Sequence, residues 1–593
     1  MDFFARQETA RQHTMKLVGL FLGAVFAVIF AVDLVVMLGA WWADAGPIPL
    51  NTHLGLAGFL LLAMFVFAVR RLIKLRGGGE AIAKMVKARA VKRNTADFDE
   101  RRLLNVVDEM SIASGVAAPT VYVMDTEEGI NAFAAGYSPN QAVIVVTKGT
   151  LTKLNRDELQ GVIGHEFSHI LNGDMRLNVR LIGILAGIVI VGEAGLVIIK
   201  LAAEANDSGA IPIALWGALV AAVGYIGVFF GRMIKAAVSR QREFLADASS
   251  VQFTRNPDGL VSALEKIGKE GTVLASAQAG EMSHMFFSQA IKPKMFSDLF
   301  ATHPPIDDRI ASIRGQPIAD RPQSLGGIVD TVLAMVGKST PEHVDHAVET
   351  LAALPASVKK MLETPEGARK VVYGYLFAAD EPTRLVQVRA LVEAGDDLAA
   401  GAMDDMTKLL RQIGPAMRLP ILTLAVPALK QMEQPARNTF LRAVDALIEA
   451  DSQVTLDEFT LRTILQRQLT AGAGKIERVK FKDVASVRAE LDAVLAALAS
   501  AASPREQAKA KFDAKAVGAA LDRLRVLAPL AKPKVIEECV KVVLADEQVS
   551  AAEMEMLRAI GMAIDCPLPP VIEKASIGRV EAKAASEQIG QPA

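Results

Sequence analysis

Of the 8 histidines in this chain of 593 residues, two stand four positions apart in His165-Glu166-Phe167-Ser168-His169. On a helix such positions share a face, so both imidazoles can reach one metal ion while Glu166 projects beside them. There it can take a proton from water activated by the metal, the part this HExxH pattern gives its glutamate in peptide-bond hydrolysis. With so few histidines, chance would produce the pattern on the order of 0.01 times per chain. A catalytic zinc takes three protein ligands and keeps a fourth position open, so another His, Asp or Glu has to arrive from elsewhere. Best placed is Glu243, in Ser239-Arg240-Gln241-Arg242-Glu243-Phe244-Leu245-Ala246-Asp247. Asp247 falls one turn further on the same face and suits the orienting of an imidazole through its free N–H. An exposed Arg–Glu salt-bridged helix face is the competing reading of that spacing.

The elements that must position these groups are also readable. Asn155 with Glu158 makes a capping box, Leu159, Val162, Ile163, Ile170 and Leu171 form one apolar face, and Gly173 supplies a stop. Residues 121–124 and 142–147 are β-branched, apolar runs separated by Asn131, Gly136 and Pro139, which predicts two strands joined by a loop. A strand just ahead of an active-site helix can offer its edge to an extended peptide.

Composition places the site beside lipid. The chain is 51% hydrophobic and only 22% charged, and its 65 basic residues nearly cancel its 66 acidic ones. That balance argues against a duplex nucleic-acid binder, which needs a broad basic face. Cys539 and Cys566 are too few for a disulfide framework and read as small buried hydrophobes in a reducing compartment. Residues 17–38, 54–69, 181–199 and 211–230 have the composition of spanning helices. The second is short and the third carries Glu193, so these two are the weaker spans. Ala43-Asp44-Ala45 resembles a signal-peptidase site, but the apolar run before it is too long for a secretory core, and a retained anchor is expected.

Arg6, Arg11 and Lys16 precede the first span, no basic residue lies in the loop of residues 42–50, and nine Lys or Arg crowd residues 70–93. By the positive-inside rule both termini and the HExxH segment face the cytoplasm of a cell (inner) membrane, with the basic run setting topology against anionic lipid. Asp33 and Glu193 lie within spans, where a hydrogen bond between helices is the bland reading of each and a functional site the sharp one. Gly19 with Gly23, Gly183 with Gly187, and Gly227 with Gly231 have the small-xxx-small spacing of close helix packing. Ligands on either side of a spanning hairpin put the metal within about 20 Å of the bilayer at ~1.5 Å per helical residue.

Together, HExxH at residues 165–169, Glu243 with Asp247, Asn131-Ala132-Phe133-Ala134 and Thr302-His303-Pro304-Pro305 resemble the HtpX-type membrane metallopeptidases, relatives of the CAAX prenyl proteases. The likeness covers roughly residues 10–320. It implies a mainly α membrane protein: four transmembrane helices, a small α+β metallopeptidase domain of the gluzincin type, and here an added all-α C-terminal extension. It implies one Zn2+ per chain on His165, His169 and Glu243, with Asp247 behind them. Glu166 would act as general base and His303 would stabilise the oxyanion. Asn131 and the strand that follows, with Val143, Val145 and Thr147, would hold the substrate. Asp174 and Arg309 also sit at family-like positions, where ion pairs or caps explain them equally well.

A Pro- and Gly-containing stretch at residues 317–327 separates this region from an Ala- and Leu-rich helical extension. The expected units are residues 1–76 with the first two spans, 77–320 as the peptidase with spans at about 181–199 and 211–230, 321–495, and 496–593. Ala450-Asp451-Ser452-Gln453-Val454-Thr455 with Glu458 recurs as Ala545-Asp546-Glu547-Gln548-Val549-Ser550 with Glu553, and a fainter copy starts at Ala379-Asp380-Glu381. Capping, rather than calcium binding, fits these aspartates, because the alternating oxygen ligands and central Gly of an EF-hand are missing. The last unit resembles TerB-like helical modules, and residues 496–511 read as a hinge.

The leading expectation is a zinc endopeptidase that cuts membrane or misfolded proteins on the cytoplasmic side, in protein quality control. Its partners would be polypeptides and the bilayer, with a homo-oligomer or a regulatory partner left open through the C-terminal helices. The alternative is an idle membrane scaffold that recruits partners through its helical half. A prenyl-protein protease is a third reading that the extension does not favour.

Overall fold

The computed structural model describes residues 3–42, 44, 46–75, 77–205, 210–270, 285–287, 303–315, 336, 340–396, 403–450, 454–470, 479–502, 513–545 and 551–570. Two long apolar helices open the chain, α1 (Phe3–Trp42) and α2 (Leu50–Lys74). A small mixed domain follows: α3 (Gly79–Met85), β1 (Arg89–Ala90), α4 (Phe98–Ser114), β2 (Thr120–Met124), β3 (Ala132–Ala135), β4 (Val143–Thr147), α5 (Lys148–Lys153) and α6 (Arg156–Asn172). Then come α7 (Asp174–Ala205), α8 (Ala210–Thr254), α9 (Pro257–Glu270) and α10 (Ile306–Arg314).

Among the described residues four stretches are long and apolar enough to cross a membrane: Leu22–Trp42, Leu50–Lys74, Ala186–Glu204 and Ile211–Phe229. Their large side chains face outward, with Phe30 71%, Phe59 68% and Ile211 79% exposed, which is tolerable only in lipid. The helix pair Asp405–Ile413 and Pro415–Lys430 is also apolar but bent by 98°. Every residue from Leu419 to Leu429 is buried within the protein, so this is a core helix. Of the polar groups in the spans, Asp33 pairs across α1 and α2 with His53 Nδ1 at 2.7 Å, the bland reading, while Glu193 is exposed on α7. The close α7–α8 crossing rests on Gly195, Gly217 and Gly224, where an added Cβ would strike the facing backbone. This corrects part of the glycine reading: Gly187 and Gly227 do pack against neighbours, but a Cβ added at Gly19 or Gly23 would meet nothing within 4 Å among the described residues.

The sheet has strand order β1-β2-β4-β3, with β2 and β4 parallel and the outer pairs antiparallel. Both strands expected from β-branched runs are present. The region between them is not simply a loop, because β3 lies in it. Ala132-Phe133-Ala134-Ala135 has no β-branched residue, and its pairing to β4 is set by tertiary contacts rather than by propensity. Two arginines of the basic run also serve the fold rather than lipid: Arg89 binds Asp125 and Glu100, and Arg93 binds Asp108 through two bonds of 2.8 Å.

The C-terminal half is helical and packs directly on the peptidase region. One hydrophobic core holds Leu103, Val107 and Phe167 together with Val344, Tyr373 and Leu422, and a second holds Val487, Leu521, Ile536 and Ile560. Lys430 Nζ and Gln468 Nε2 each bond Asn140 at 2.8 Å, in the turn between β3 and β4. Thr455 and Glu458 form the expected capping box and Asp380 caps its helix; Asp451 and Asp546 lie outside the described residues, as do residues 317–327 and most of the expected hinge. Cys539 and Cys566 are buried and unlinked.

His343, in the first turn of helix Pro341–Ala353, is 2% exposed and accepts from the Thr340 N–H at Nδ1. Burial, opposed by Glu342, pushes its pKa from 6.5 down to about 4. As pH falls through this window the unfolded chain binds the proton first, so stability held above 6.5 is lost toward 4. The loss is about 3 kcal/mol at most. Thermal unfolding of the purified chain across this range is expected to show it, and His343→Gln to flatten it. An acid-side loss unchanged in that variant assigns the effect to another group.

Candidate metal centre

Local sequence builds the helix that carries the two histidines. Asn155 accepts from the Glu158 N–H at 2.9 Å and Glu158 accepts from the Asn155 N–H at 2.8 Å, closing the capping box. At the other end Gly173, at φ 76°, takes the left-handed conformation that ends α6, and α7 starts at once toward the membrane. The third ligand, a carboxylate, comes from α8, a single helix running unbroken from span to site. His165, His169 and Glu243 therefore converge from two helices, with their ligating atoms all within 4.8 Å of one another.

The geometry fits a metal. The two Nε2 atoms are 3.1 Å apart and each is 3.6 Å from a Glu243 oxygen. Two Zn–N bonds at a tetrahedral angle span about 3.3 Å, and two imidazoles with one carboxylate are a donor set of catalytic zinc. The outer nitrogens are engaged behind the site. His165 Nδ1 lies 2.9 Å from Asp247, and His169 Nδ1 lies 3.0 Å from Asp174, so each Nδ1–H can donate to a carboxylate while Nε2 points inward.

Each of those carboxylates has its own arginine. Arg309 holds Asp247 through Nε at 2.7 Å and Nη2 at 2.6 Å, and Arg242 Nη1 stands 3.0 Å from Asp174. Burial would raise these carboxyl pKa values, but the guanidinium groups more than reverse it and keep both below the ordinary range. Burial likewise opposes charge on His169, and the neighbouring carboxylates, Asp174 and Glu243 foremost, outweigh it and lift its pKa to about 9. Glu243, against burial, is held well below the ordinary value by His303 and His165.

Glu166 is 1% exposed, and among the described residues neither of its oxygens has an aligned hydrogen-bond partner. Burial raises its pKa against the pull of the two imidazoles and, more weakly, of the Ala134 N–H on β3. A buried, unsatisfied carboxylate beside metal ligands is poised to accept a proton. His303 reaches the same cluster, with Nδ1 2.9 Å from Glu243 Oε2, an ion-pair contact without hydrogen-bond alignment. Thr302 lies outside the described residues.

The substrate-holding residues fall differently from the sequence expectation. Val143, Val145 and Thr147 sit on β4, an internal strand paired on both sides, so its backbone has no free edge to offer. Thr147 instead bonds Asn131, which is 1% exposed and fixed also by Thr150. The outer strands are β3 and the two-residue β1, and β3 is the one that runs beside Glu166. Thr147 N–H bonds Asn131 O, so alternation along the ladder leaves Ala132 and Ala134 with backbone groups directed away from β4. Sequence reasoning gave Arg242 no role at the site beyond that of a basic residue after a span, gave Phe287 none, and left Arg309 open. Only the position of Arg309, six residues after His303, hinted at a shared site.

Known proteins agree with this geometry. The profile of peptidase family M48 matches residues 97–316. The chain is 37% identical over 262 residues to a protease HtpX homolog of Dictyoglomus thermophilum, covering 44% of this chain and 83% of that protein. It is 34% identical over 295 residues to a protease HtpX homolog of Listeria monocytogenes, covering 48% and 94%. No solved structure matches, and the resemblance of the last unit to TerB-like modules gains no support. The ligand set is intact, Glu243 stands on a helix continuous with one of the four candidate spans among the described residues, and the chain belongs to peptidase family M48, among the HtpX-like membrane metallopeptidases.

Proposed function

We propose that the chain is a zinc endopeptidase, with one ion per molecule, that cuts membrane or misfolded proteins at the cytoplasmic lipid surface as part of protein quality control. The observation that carries this is the convergence of His165 and His169 of α6 with Glu243 of α8, a helix continuous with a span. From Phe229, the end of that span, to Glu243 is 14 residues, about 21 Å of helix. The basic residues flanking the first and second spans support a cytoplasmic site.

Zinc held by these three residues would polarise the scissile carbonyl and make water nucleophilic near neutral pH. Glu166 takes the proton from the attacking water and hands it to the leaving amine. His303 balances negative charge developing on the carbonyl oxygen. The edge of β3 aligns the peptide backbone, and Asn131, locked by Thr147 and Thr150, fixes that edge. No covalent intermediate is required.

Purified chain in detergent is expected to carry about one zinc, to cleave an unfolded protein, and to lose cleavage on chelation and regain it with zinc. Cleavage untouched by exhaustive chelation would remove the metal from the reaction. A zinc-loaded chain that cuts no unfolded or membrane protein would favour the scaffold reading.

A further inference from the structure

Residues 285–287 occupy the outer edge of β3. The Phe287 N–H donates to Ala132 O at 2.7 Å, and its carbonyl accepts from Arg309 Nη1 at 2.8 Å. The ring stands edge-on to His165, with centroids 4.7 Å apart, and lies 4.5 Å from the Arg309 guanidinium carbon. The neighbouring Phe286 ring meets Phe133 of β3 edge-on at 5.0 Å, and both phenylalanines are 1% exposed.

A single residue thus has its N–H taken by an edge strand, its C=O taken by an arginine, and its side chain pressed on a metal ligand. The two backbone contacts are indifferent to side-chain identity, as recognition of an extended peptide requires. Ala132 O is an acceptor on the strand whose Ala134 N–H turns toward Glu166, so the clasp lies within one strand step of the general base. A substrate aligned along β3 needs the same carbonyl that Phe287 holds, and both cannot have it.

Resting on the peptidase reading above, we infer that Phe287 is a built-in occupant of the substrate edge: the resting chain blocks its own cleft with residues 285–287, and an extended substrate segment carrying a large apolar residue displaces them. The clasp then also sets preference, since the space vacated beside His165 and Arg309 is aromatic in size and lined by Phe133 at the adjacent position. Apparent affinity for peptide is reduced by the fraction of molecules in which the edge is covered.

The test is peptide binding without turnover. Full-length, zinc-loaded Glu166→Gln chain is titrated with a short fluorescein-labelled peptide of alanines around one Phe, alone and with Phe287→Gly added. Removing the ring is expected to tighten binding by about tenfold, because a poorly held segment yields the edge more often. Equal or weaker binding by the double variant overturns the inference. A second measurement leaves Phe287 in place. Hydrogen exchange of the segment containing residues 285–287 is expected to speed up by about tenfold when the Glu166→Gln chain is saturated with the same peptide. Unchanged protection at saturation overturns the inference as well. Failure of the peptidase reading shows separately, as an absence of Glu166-dependent cleavage by the native chain.

Discussion

Glu166→Gln is expected to leave a chain that keeps its zinc and its fold but cleaves an unfolded protein at least about a hundredfold more slowly, the low end of what a positioned general base contributes. Glu166 is not one of the three residues whose ligating atoms converge on the metal position. Its two oxygens are buried with no aligned partner among the described residues, so an amide of the same shape removes the proton acceptor while easing the burial of charge. Glu243→Gln should do the opposite, weakening the metal site itself, because that oxygen pair faces both imidazoles at 3.6 Å. Metal content and single-turnover cleavage, measured on both variants, separate the two roles. Cleavage by Glu166→Gln at the native rate with native zinc content would place the base elsewhere.

What could be read from sequence here was whatever local chemistry decides. Asn155, Glu158 and Gly173 fix the ends of α6 through their own backbone bonds, so the helix bearing the histidines was legible down to its caps. The spans were legible because lipid demands uninterrupted apolar length. The edge of the sheet was not. Whether β3 or β4 lies outermost depends on strand order, and β4, more strongly apolar and β-branched, drew the substrate assignment although it is paired on both sides. The arginines behind the ligands were also hidden, since Arg242 reads equally well as a basic residue after a span and Arg309 as part of an exposed helix. Each takes its meaning from a carboxylate distant in sequence, Asp174 68 residues away from Arg242 and Asp247 62 away from Arg309.

Arg309→Met should destabilise the chain by about 3–5 kcal/mol, because it strands the buried Asp247 carboxylate without its countercharge. Arg309 is itself 1% exposed, and its guanidinium bonds Asp247 and the Phe287 carbonyl and stands 3.9 Å from Glu243 Oε2. Zinc affinity should fall as well, by about 10- to 100-fold, since Asp247 orients His165 and a carboxylate that has lost its arginine is free to protonate or turn away. If charge is the cause, the double variant Asp247→Asn with Arg309→Met recovers most of the lost stability, because it removes both charges of the pair and strands neither. It also recovers part of the zinc affinity, because the amide oxygen can still accept from His165 Nδ1–H. Thermal unfolding and competitive zinc titration of the three variants read both quantities. A double variant as unstable as Arg309→Met alone would show that the arginine contributes through packing against Phe287 rather than through its charge on Asp247.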